Sequence, residues 1–543
     1  MRILHISAAP AKFPLSFLCS HRSSAVLCAI STREAPLLGP QQLFSIVCGF
    51  CSIMSSAQDT AFEAEKDLEK RSSSSIGSSQ EPQIRENSEI EKTVWRKMDW
   101  HIIPIVAMFY FLSFLDRTNI GNARVAGLQK DLKMTNHEYS IALTVTYVPY
   151  IFAELPSNLV LKAVGPNLLL PTLLTLWGIV TTLQGVVTTY GGLLACRFFL
   201  GLFEGGVFPG LVLYLSYFYP RYKMNSRVAA FFASASLSGA FSGILAYGII
   251  HMEGVGGRPG YSWIFILEGL FTFLFGLSAY FTLPRSVDKA AFLNVEEKEY
   301  VNAKLLEDNG YQTETGFSAR EIIEAFKLPQ IWILAPAFFM SGSILYAMAY
   351  FAPSIISGLG YSPADTQLMS VPPFAVASVV AMAAAFISER YRCRGVVSTV
   401  SMIFCAIGFA MFLGSKSTHV QYGSLFFSIT GAYTAAPTAS AWNAVNIAPE
   451  TRRATVIAIG FVLTNSGGIL STWLLGSLSP APRYTNGTIT LLVFSVASGA
   501  LCVANIFYLL AQNIRKAKTR QSIHREEEKA GLGDRSAWFI YNL

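Results

Sequence analysis

Residues 102–123 read IIPIVAMFYFLSFLDRTNIGNA, an apolar run that ends in an adjacent acid and base, Asp116 and Arg117. A helix of about 20 apolar residues crosses the roughly 30 Å of hydrocarbon in a bilayer. This stretch therefore predicts a membrane-spanning helix with two charges in its second half. A charge inside a span costs about 2.5–3.5 kcal/mol on insertion scales, which makes both residues functional candidates.

The composition of the whole chain is that of a membrane protein. Of its 543 residues, 52% are hydrophobic and 14% are charged, whereas a soluble domain has about 25% charged residues. The net charge of +7 is small for this length, and no basic block is dense enough to predict nucleic-acid binding. The eight cysteines have neither disulfide nor metal-ligand spacing, so we expect no metal or other cofactor.

Apolar runs of membrane-spanning length recur along the chain, and the longest polar stretch between them divides them six and six. The predicted fold class is therefore an all-α membrane protein with twelve transmembrane helices. The predicted spans are 102–122, 139–161, 168–188, 192–218, 228–250, 262–283, 332–356, 367–387, 396–414, 421–446, 455–477 and 488–511.

The spans divide the chain into five segments. They are a cytosolic N-terminal tail (1–97), an N-terminal six-helix bundle (98–284), a cytosolic central loop (285–330), a C-terminal six-helix bundle (331–511) and a cytosolic C-terminal tail (512–543). Residues 57–97 are polar and are expected to be disordered. Residues 1–53 are apolar, and we expect an upstream extension of the gene model with Met54 as the true start; a targeting sequence is the alternative. Asn294-Val-Glu-Glu297 predicts the start of a short helix in the central loop.

The distribution of Lys and Arg sets the predicted orientation. Short loops on the side of the termini collect more of these residues than loops on the other side. The positive-inside rule then places both termini in the cytoplasm. We expect a multi-pass protein of the plasma membrane that works as a monomer in the lipid bilayer.

A second charged pair, Arg197 and Glu204, lies in predicted span 4. Their seven-residue separation is nearly two helical turns, so they occupy one helix face about 10.5 Å apart. Together with Asp116 and Arg117 they give two arginines and two carboxyls, which suits coupled transport of an organic anion and a proton. Arginine stays charged and clamps a carboxylate, whereas burial favours the neutral, protonated form of an acid. The alternative is that Asp116–Arg117 and Arg197–Glu204 are static ion pairs.

Other polar residues in the spans support weaker hypotheses. Glu154 and Asn158 are one turn apart in span 2 and predict a structural gate. Glu268 in span 6 fits a cavity-lining role and a packing role equally well. Tyr346 and Tyr350 in span 7 are placed to stack on a planar ligand, although packing is the alternative. The candidate hydrogen-bonding partners of the substrate are Asn119, Trp442, Asn443, Asn446 and Asn465.

Five motifs, in this order, resemble the anion:cation symporter family of the major facilitator superfamily, and in particular its fungal allantoate and nicotinate permease branch. The resemblance covers residues 92–512. The motifs are Leu115–Ala123, Glu154–Asn158, Arg197–Gly210, Trp263–Gly269 and Ala481–Tyr484.

The resemblance implies two six-helix bundles that rock around a central site formed by spans 1, 4, 7 and 10. It implies that Glu204 and Asp116 couple transport to protons, and that Arg117 and Arg197 serve the substrate carboxylate. It also implies that Asn465 in span 11 contacts substrate. Nicotinate is the favoured substrate over allantoate, ureidosuccinate or a vitamin acid.

Two departures from the superfamily pattern bear on function. The loop motif Gly-x-x-x-Asp-Arg reads Ala385-Phe-Ile-Ser-Glu389-Arg390, which makes Glu389 and Arg390 gate candidates with a longer acidic arm. Span 5 reads Gly239-Ala-Phe-Ser-Gly243 without the proline of exporters, which argues against a drug:proton antiporter. A nutrient sensor is the other alternative, and the tails are short for one. No nucleophile–base or metal spacing predicts an enzyme.

Overall fold

The computed structural model describes residues 81–310, 319–479, 481, 483–521, 528 and 533–543, and these residues are predominantly α-helical. The N-terminal half contains eight helices: α1 (Glu81–Val125), α2 (Leu128–Asp131), α3 (Asn136–Val164), α4 (Pro166–Gln184), α5 (Tyr190–Glu204), α6 (Val207–Ser216), α7 (Arg221–Ile250) and α8 (Gly260–Thr282). The central connection contains α9 (Val295–Gly310) and α10 (Ala319–Phe326). The C-terminal half contains α11 (Pro329–Gly358), α12 (Pro363–Arg390), α13 (Arg394–Gly414), α14 (Thr418–Val445), α15 (Glu450–Gly476) and α16 (Thr485–Arg520).

Helix length and hydropathy confirm the predicted fold class. Within the described residues, nine helical segments are long and apolar enough to cross a membrane, one of them formed by α5 and α6 together. The other three predicted spans coincide with α3, α7 and α14, which have 29, 30 and 28 residues. At 1.5 Å per residue, even the shortest of these is about 42 Å long, which exceeds the hydrocarbon thickness.

Predicted span 4 is interrupted next to its acidic residue. Helix α5 ends at Glu204, Gly205 and Gly206 intervene, and α6 begins at Val207. A Cβ atom on Gly205 would lie 2.4 Å from the Tyr150 carbonyl oxygen of α3. Only glycine allows this approach, so Gly205 lets span 4 pack closely against span 2 next to Glu204.

The helices of each half pack mainly against one another. In the N-terminal half α4 packs on α8 and α1 on α7, and in the C-terminal half α13 packs on α14 and α11 on α15. Contacts between the halves are made by α1 with α11, α3 with α15, and α7 with α12. The facing surfaces of α1 and α11 thus lie at the junction of the two bundles.

The two ends of the molecule differ in how the halves meet. We call the end that carries residues 91–99 and 533–543 the terminal face, and the end that carries the α1–α3 connection the distal face. Near the distal face, Ser140 of α3 donates a hydrogen bond to the Thr472 carbonyl of α15 at 3.0 Å, and Gln367 of α12 donates to the Asn122 carbonyl of α1 at 3.1 Å. The halves are therefore closed against each other at the distal face.

The start of α1 corrects one sequence-based expectation. Residues 57–97 were predicted to be disordered, and the part of this range from Glu81 onward is helical. Val94 and Trp95 are buried, and Lys97 forms an ion pair of 2.6 Å with Glu297 of α9. Trp95 packs against Tyr219, between α6 and α7. Apolar contacts therefore hold this otherwise polar segment against the N-terminal half, and the ion pair joins it to α9. The predicted helix in the central loop is confirmed as α9. Residues 1–80 lie outside the described residues.

The C-terminal segment 533–543 docks on the terminal face of the C-terminal half. Its Asp534 is buried and pairs with Arg452 of α15, which also binds Glu321 of α10 at 2.7 Å. Trp442 Nε1 of α14 donates a hydrogen bond to the Asn542 carbonyl oxygen at 2.8 Å. The segment thereby supplies partners to buried polar groups on two spans.

Candidate functional site

The strongest polar contact inside the membrane region joins α1 to α5. Arg117 donates two hydrogen bonds to Glu204 Oε1, from Nε at 2.9 Å and from Nη2 at 2.5 Å. Ser113, one turn before Arg117, donates to the same oxygen at 2.5 Å. Both members of the ion pair are buried. Glu204 is thus bound to an arginine on another helix, next to the Gly205–Gly206 break.

Arg117 also connects the two halves of the molecule. Its Nη1 donates a hydrogen bond to the Tyr346 hydroxyl of α11 at 2.7 Å. That hydroxyl donates to Asn465 Oδ1 of α15 at 2.9 Å. A chain of polar contacts therefore runs from Glu204 in the N-terminal half to Asn465 in the C-terminal half, and a change at Glu204 can act on the interface.

Aromatic rings surround the Arg117 guanidinium. Its carbon lies 5.3 Å from the Tyr150 ring centroid and 5.4 Å from that of Tyr346, within the range of cation–π contacts. Tyr346 and Tyr350 are nearly parallel, with ring centroids 6.0 Å apart. The Tyr350 hydroxyl lies 2.9 Å from that of Tyr147 on α3. The site thus combines one arginine with several aromatic faces.

A second buried charged group contains Asp116, Arg197 and Glu268. Thr181 of α4 donates a hydrogen bond of 3.3 Å to Asp116 Oδ2. Asp116 interacts electrostatically with Arg197 of α5 and with Glu268 of α8. The Arg197 guanidinium carbon lies 5.9 Å from the Phe265 ring centroid, while Nε and Nη2 of Arg197 have no hydrogen-bond partner among the described residues.

The observed pairing differs from the static pairs considered from the sequence. Glu204 binds Arg117 rather than Arg197, and Asp116 accepts a hydrogen bond from Thr181 rather than pairing with its neighbour Arg117. Successive residues on an α-helix point about 100° apart, because one turn contains 3.6 residues. Asp116 and Arg117 therefore project in different directions, Arg117 toward Glu204 of span 4 and Asp116 toward Thr181 of span 3.

Two of the predicted asparagines have different surroundings from Asn465. Asn119 Oδ1 accepts a hydrogen bond of 2.6 Å from Ser242 of α7, which places it in a contact within the N-terminal half. Asn443 of α14 is buried, and none of the residues that the structure describes donates a hydrogen bond to its Oδ1. Of the predicted substrate contacts, the structure brings together Arg117, Tyr346 and Asn465, with Tyr350 adjacent.

Among the described side chains, the gate candidates form no hydrogen bond with this contact chain. Glu154 of α3 is half-buried and interacts electrostatically with Tyr150 and Tyr346. The Asn158 side chain lies outside the described residues. Glu389 and Arg390 are exposed at the end of α12, on the terminal face.

Sequence reasoning omitted or left open three residues of the site. Ser113 precedes Arg117 by four residues, so helical spacing alone puts both on one face. Tyr147 precedes Glu154 by two turns of α3, so helical spacing also puts these two residues on one face. Glu268 was noted without a decision between cavity and packing, and the structure shows it buried beside Asp116.

Comparisons with known proteins agree with this architecture. The family model of the Major Facilitator Superfamily matches residues 106–472. A relative described as an uncharacterized transporter of Schizosaccharomyces pombe is 35% identical over 463 residues, which cover 85% of this chain and 92% of the relative. The high-affinity nicotinic acid transporter of Saccharomyces cerevisiae is 32% identical over 427 residues, which cover 79% of each chain.

Solved structures support the fold independently. A bacterial homologue of the human lysosomal transporter Spinster aligns with a TM-score of 0.60 at 14% identity, over 74% of this chain and 96% of the other. A D-xylose–proton symporter aligns with a TM-score of 0.57 at 14% identity, over 74% of this chain and 97% of the other. The chain belongs to the major facilitator superfamily and is a multi-pass membrane transporter.

Proposed function

We propose that this transporter imports a small organic carboxylate together with protons, as members of the anion:cation symporter family do. The observation that carries the proposal is the position of Arg117 between Glu204 and Tyr346. At the junction of the two halves, Arg117, which is always charged, binds Glu204, whose charge a proton can neutralise.

In the proposed cycle, Glu204 and the substrate compete for Arg117. When Glu204 is ionised, its carboxylate forms an ion pair with the Arg117 guanidinium, which is then not free to bind the substrate. Protonation of Glu204 weakens that pair and frees Arg117 to bind the substrate carboxylate through two parallel hydrogen bonds. Because Arg117 also donates to Tyr346, its movement alters a contact between the halves. Asp116 is the second proposed coupling carboxyl, and Arg197 the second arginine that serves the anion.

Nicotinate is the proposed substrate. Its carboxylate suits Arg117, and its ring suits the faces of Tyr346 and Tyr350. Asn465, Asn443 and Asn119 are the proposed polar contacts. The similarity to a nicotinic acid transporter at 32% identity supports this choice over allantoate or ureidosuccinate.

The proposed sides of the membrane follow from the predicted topology. With both termini in the cytoplasm, the terminal face is the cytoplasmic side and the distal face is the outer side of the plasma membrane. Glu154 and Asn158 on α3, and Glu389 and Arg390 on α12, are proposed to gate the terminal face.

Uptake of a panel of labelled organic acids into transporter-deficient yeast tests this proposal. We expect nicotinate uptake to rise when the medium is acidified and to stop when a protonophore is added. Accumulation that requires sodium and ignores pH contradicts proton coupling. Extrusion of the compounds instead of uptake supports a drug:proton antiporter, and ligand binding without flux supports a sensor.

A further inference from the structure

The buried charges of the N-terminal half do not balance if every acid is ionised. Three carboxyls, Asp116, Glu204 and Glu268, lie with two arginines, Arg117 and Arg197, and all five are at most 8% exposed. Since Arg117 is hydrogen-bonded to Glu204, Arg197 remains to balance both Asp116 and Glu268. An uncompensated charge in a low-dielectric interior is so costly that a buried group takes up or loses a proton instead. Charge balance therefore calls for one proton on Asp116 or Glu268.

The surroundings of Glu268 indicate where that proton lies. Phe265, one turn before Glu268 on α8, has its ring centroid 5.9 Å from the Arg197 guanidinium carbon. Gly269, the next residue after Glu268, packs against the backbone of Thr182, whose neighbour Thr181 donates to Asp116. Glu268 is therefore buried close to Arg197 and Asp116, with which it interacts electrostatically. Neither Glu268 oxygen accepts a hydrogen bond from a described residue. Asp116, in contrast, accepts one from Thr181. An ionised carboxylate is stabilised by donors, so the acid without donors is the one that suits the neutral form.

We propose that Glu268 keeps a proton throughout the transport cycle and donates it in a hydrogen bond to Asp116. Glu268 is then a positioning residue. Within the Asp116–Glu268 pair it is Asp116 that gains and loses a proton during transport, in addition to Glu204. The role of Glu268 in transport rests on the proposed proton-coupled function, whereas the protonated state of Glu268 in the resting protein does not.

The proton balance of the step is simple. In the resting state, ionised Asp116 and neutral Glu268 together carry one negative charge, which Arg197 balances. A proton from water on the outer side binds the Asp116 carboxylate, and Arg197 is freed to face the arriving substrate anion. When the anion leaves on the other side, the proton returns from Asp116 to water and Arg197 faces Asp116 again. No other bond forms or breaks.

The helices that pack near Glu268 contribute few other charges. The charged groups that interact with it are Asp116 on α1 and Arg197 on α5. Helix α4 contributes Thr181 and Trp177 beside Asp116, and neither titrates in the relevant range. Glu204 acts on Asp116 electrostatically, so its charge state is the remaining influence on the pair.

Infrared spectroscopy of the purified full-length protein at neutral pH tests the protonated state without any substrate. We expect the carbonyl stretching band of a buried protonated carboxyl in wild type, and its loss in Glu268→Gln. We expect Asp116→Asn to lose the band too, because Glu268 can then ionise opposite Arg197. The exposed Glu299 on α9 supplies the control Glu299→Gln, which should keep the band. A Glu268→Gln spectrum identical to wild type in this region overturns the proposal.

Transport of labelled nicotinate tests the positioning role. A neutral carboxyl is a stronger donor to Asp116 than an amide, so Glu268→Gln should shift the pH profile of uptake to higher pH. Glu268→Leu, which offers no donor, should lose proton-driven accumulation while still reaching the membrane. A Glu268→Leu protein with the wild-type pH profile overturns the role. Absence of proton-driven uptake in wild type refutes the proposed function instead, and it leaves the infrared result standing.

Discussion

Replacement of Glu204 by glutamine tests the competition for Arg117 quantitatively. Glu204 Oε1 accepts three hydrogen bonds, two of them from Arg117. The side-chain oxygen of glutamine has nearly the same position, so the bonds remain but lose the negative charge. Hydrogen bonds to charged groups contribute about 1.5–3 kcal/mol, whereas neutral ones contribute about 0.5–1.5 kcal/mol. Glu204→Gln should therefore weaken the hold on Arg117 by about 1 kcal/mol per bond, or about 2 kcal/mol in total.

That weakening should appear as tighter substrate binding. Each 1.4 kcal/mol is a factor of ten in an equilibrium constant, so the Kd of nicotinate should fall about 30-fold in Glu204→Gln at neutral pH. Wild type should approach the same Kd as the pH is lowered, because protonation of Glu204 has the same effect as the substitution. Proton-driven accumulation should fail in the variant, while exchange of labelled for unlabelled substrate should survive.

Isothermal titration of the purified proteins provides the measurement. Ser113→Ala is a matched comparison, because it removes one hydrogen bond to the same oxygen and leaves the charge in place. Glu299→Gln, on the exposed surface of α9, controls for loss of a distant charge. A folded Glu204→Gln protein whose Kd equals that of wild type, or which still accumulates nicotinate against a gradient, would refute the competition.

Two further predictions concern the contact chain and the C-terminal segment. Tyr346→Phe leaves Arg117 Nη1 and Asn465 Oδ1 without the hydroxyl that both of them contact, and it should destabilise the state closed at the distal face by about 1–3 kcal/mol. The loss should appear as slower disulfide formation between cysteines introduced by Ser140→Cys and Thr472→Cys. An unchanged rate of crosslinking contradicts this prediction. Asp534→Asn removes one of the two carboxylates that bind buried Arg452 and should cost about 1–3 kcal/mol, measured as a lower Tm of the purified protein than that of Glu299→Gln; equal melting contradicts a stabilising role for the docked segment.

The membrane spans could be read from the sequence because hydropathy is a property of each segment alone. The run 102–123 predicted α1 within the membrane, and the charges at 116, 117, 197 and 204 marked the right two helices. The sequence also shows the Gly205–Gly206 pair, which is followed by Pro209. Its effect on span 4 was not predicted, because the close approach to Tyr150 depends on how α3 and α5 pack.

The partners of those charges could not be read from the sequence. Whether Glu204 meets Arg197, seven residues away on its own helix, or Arg117, on another helix, depends on the rotation of α1 relative to α5. The same holds for Glu268. Its role could not be chosen from the sequence, because that role depends on Asp116 and Arg197, which only the packing of the helices brings near it. The docked segment 533–543 has no long apolar run, and its contacts are individual polar pairs such as Asp534 with Arg452.

The central claim is that a carboxylate and protons cross the membrane together and in the same direction. Proteoliposomes that contain the purified protein and an internal pH dye, with equal pH on both sides and the membrane potential clamped, test it most directly. Addition of external nicotinate should acidify the lumen in step with the entry of labelled nicotinate, and Glu204→Gln should abolish both net fluxes. Nicotinate entry without a change in luminal pH, or with a rise in luminal pH, would contradict the account.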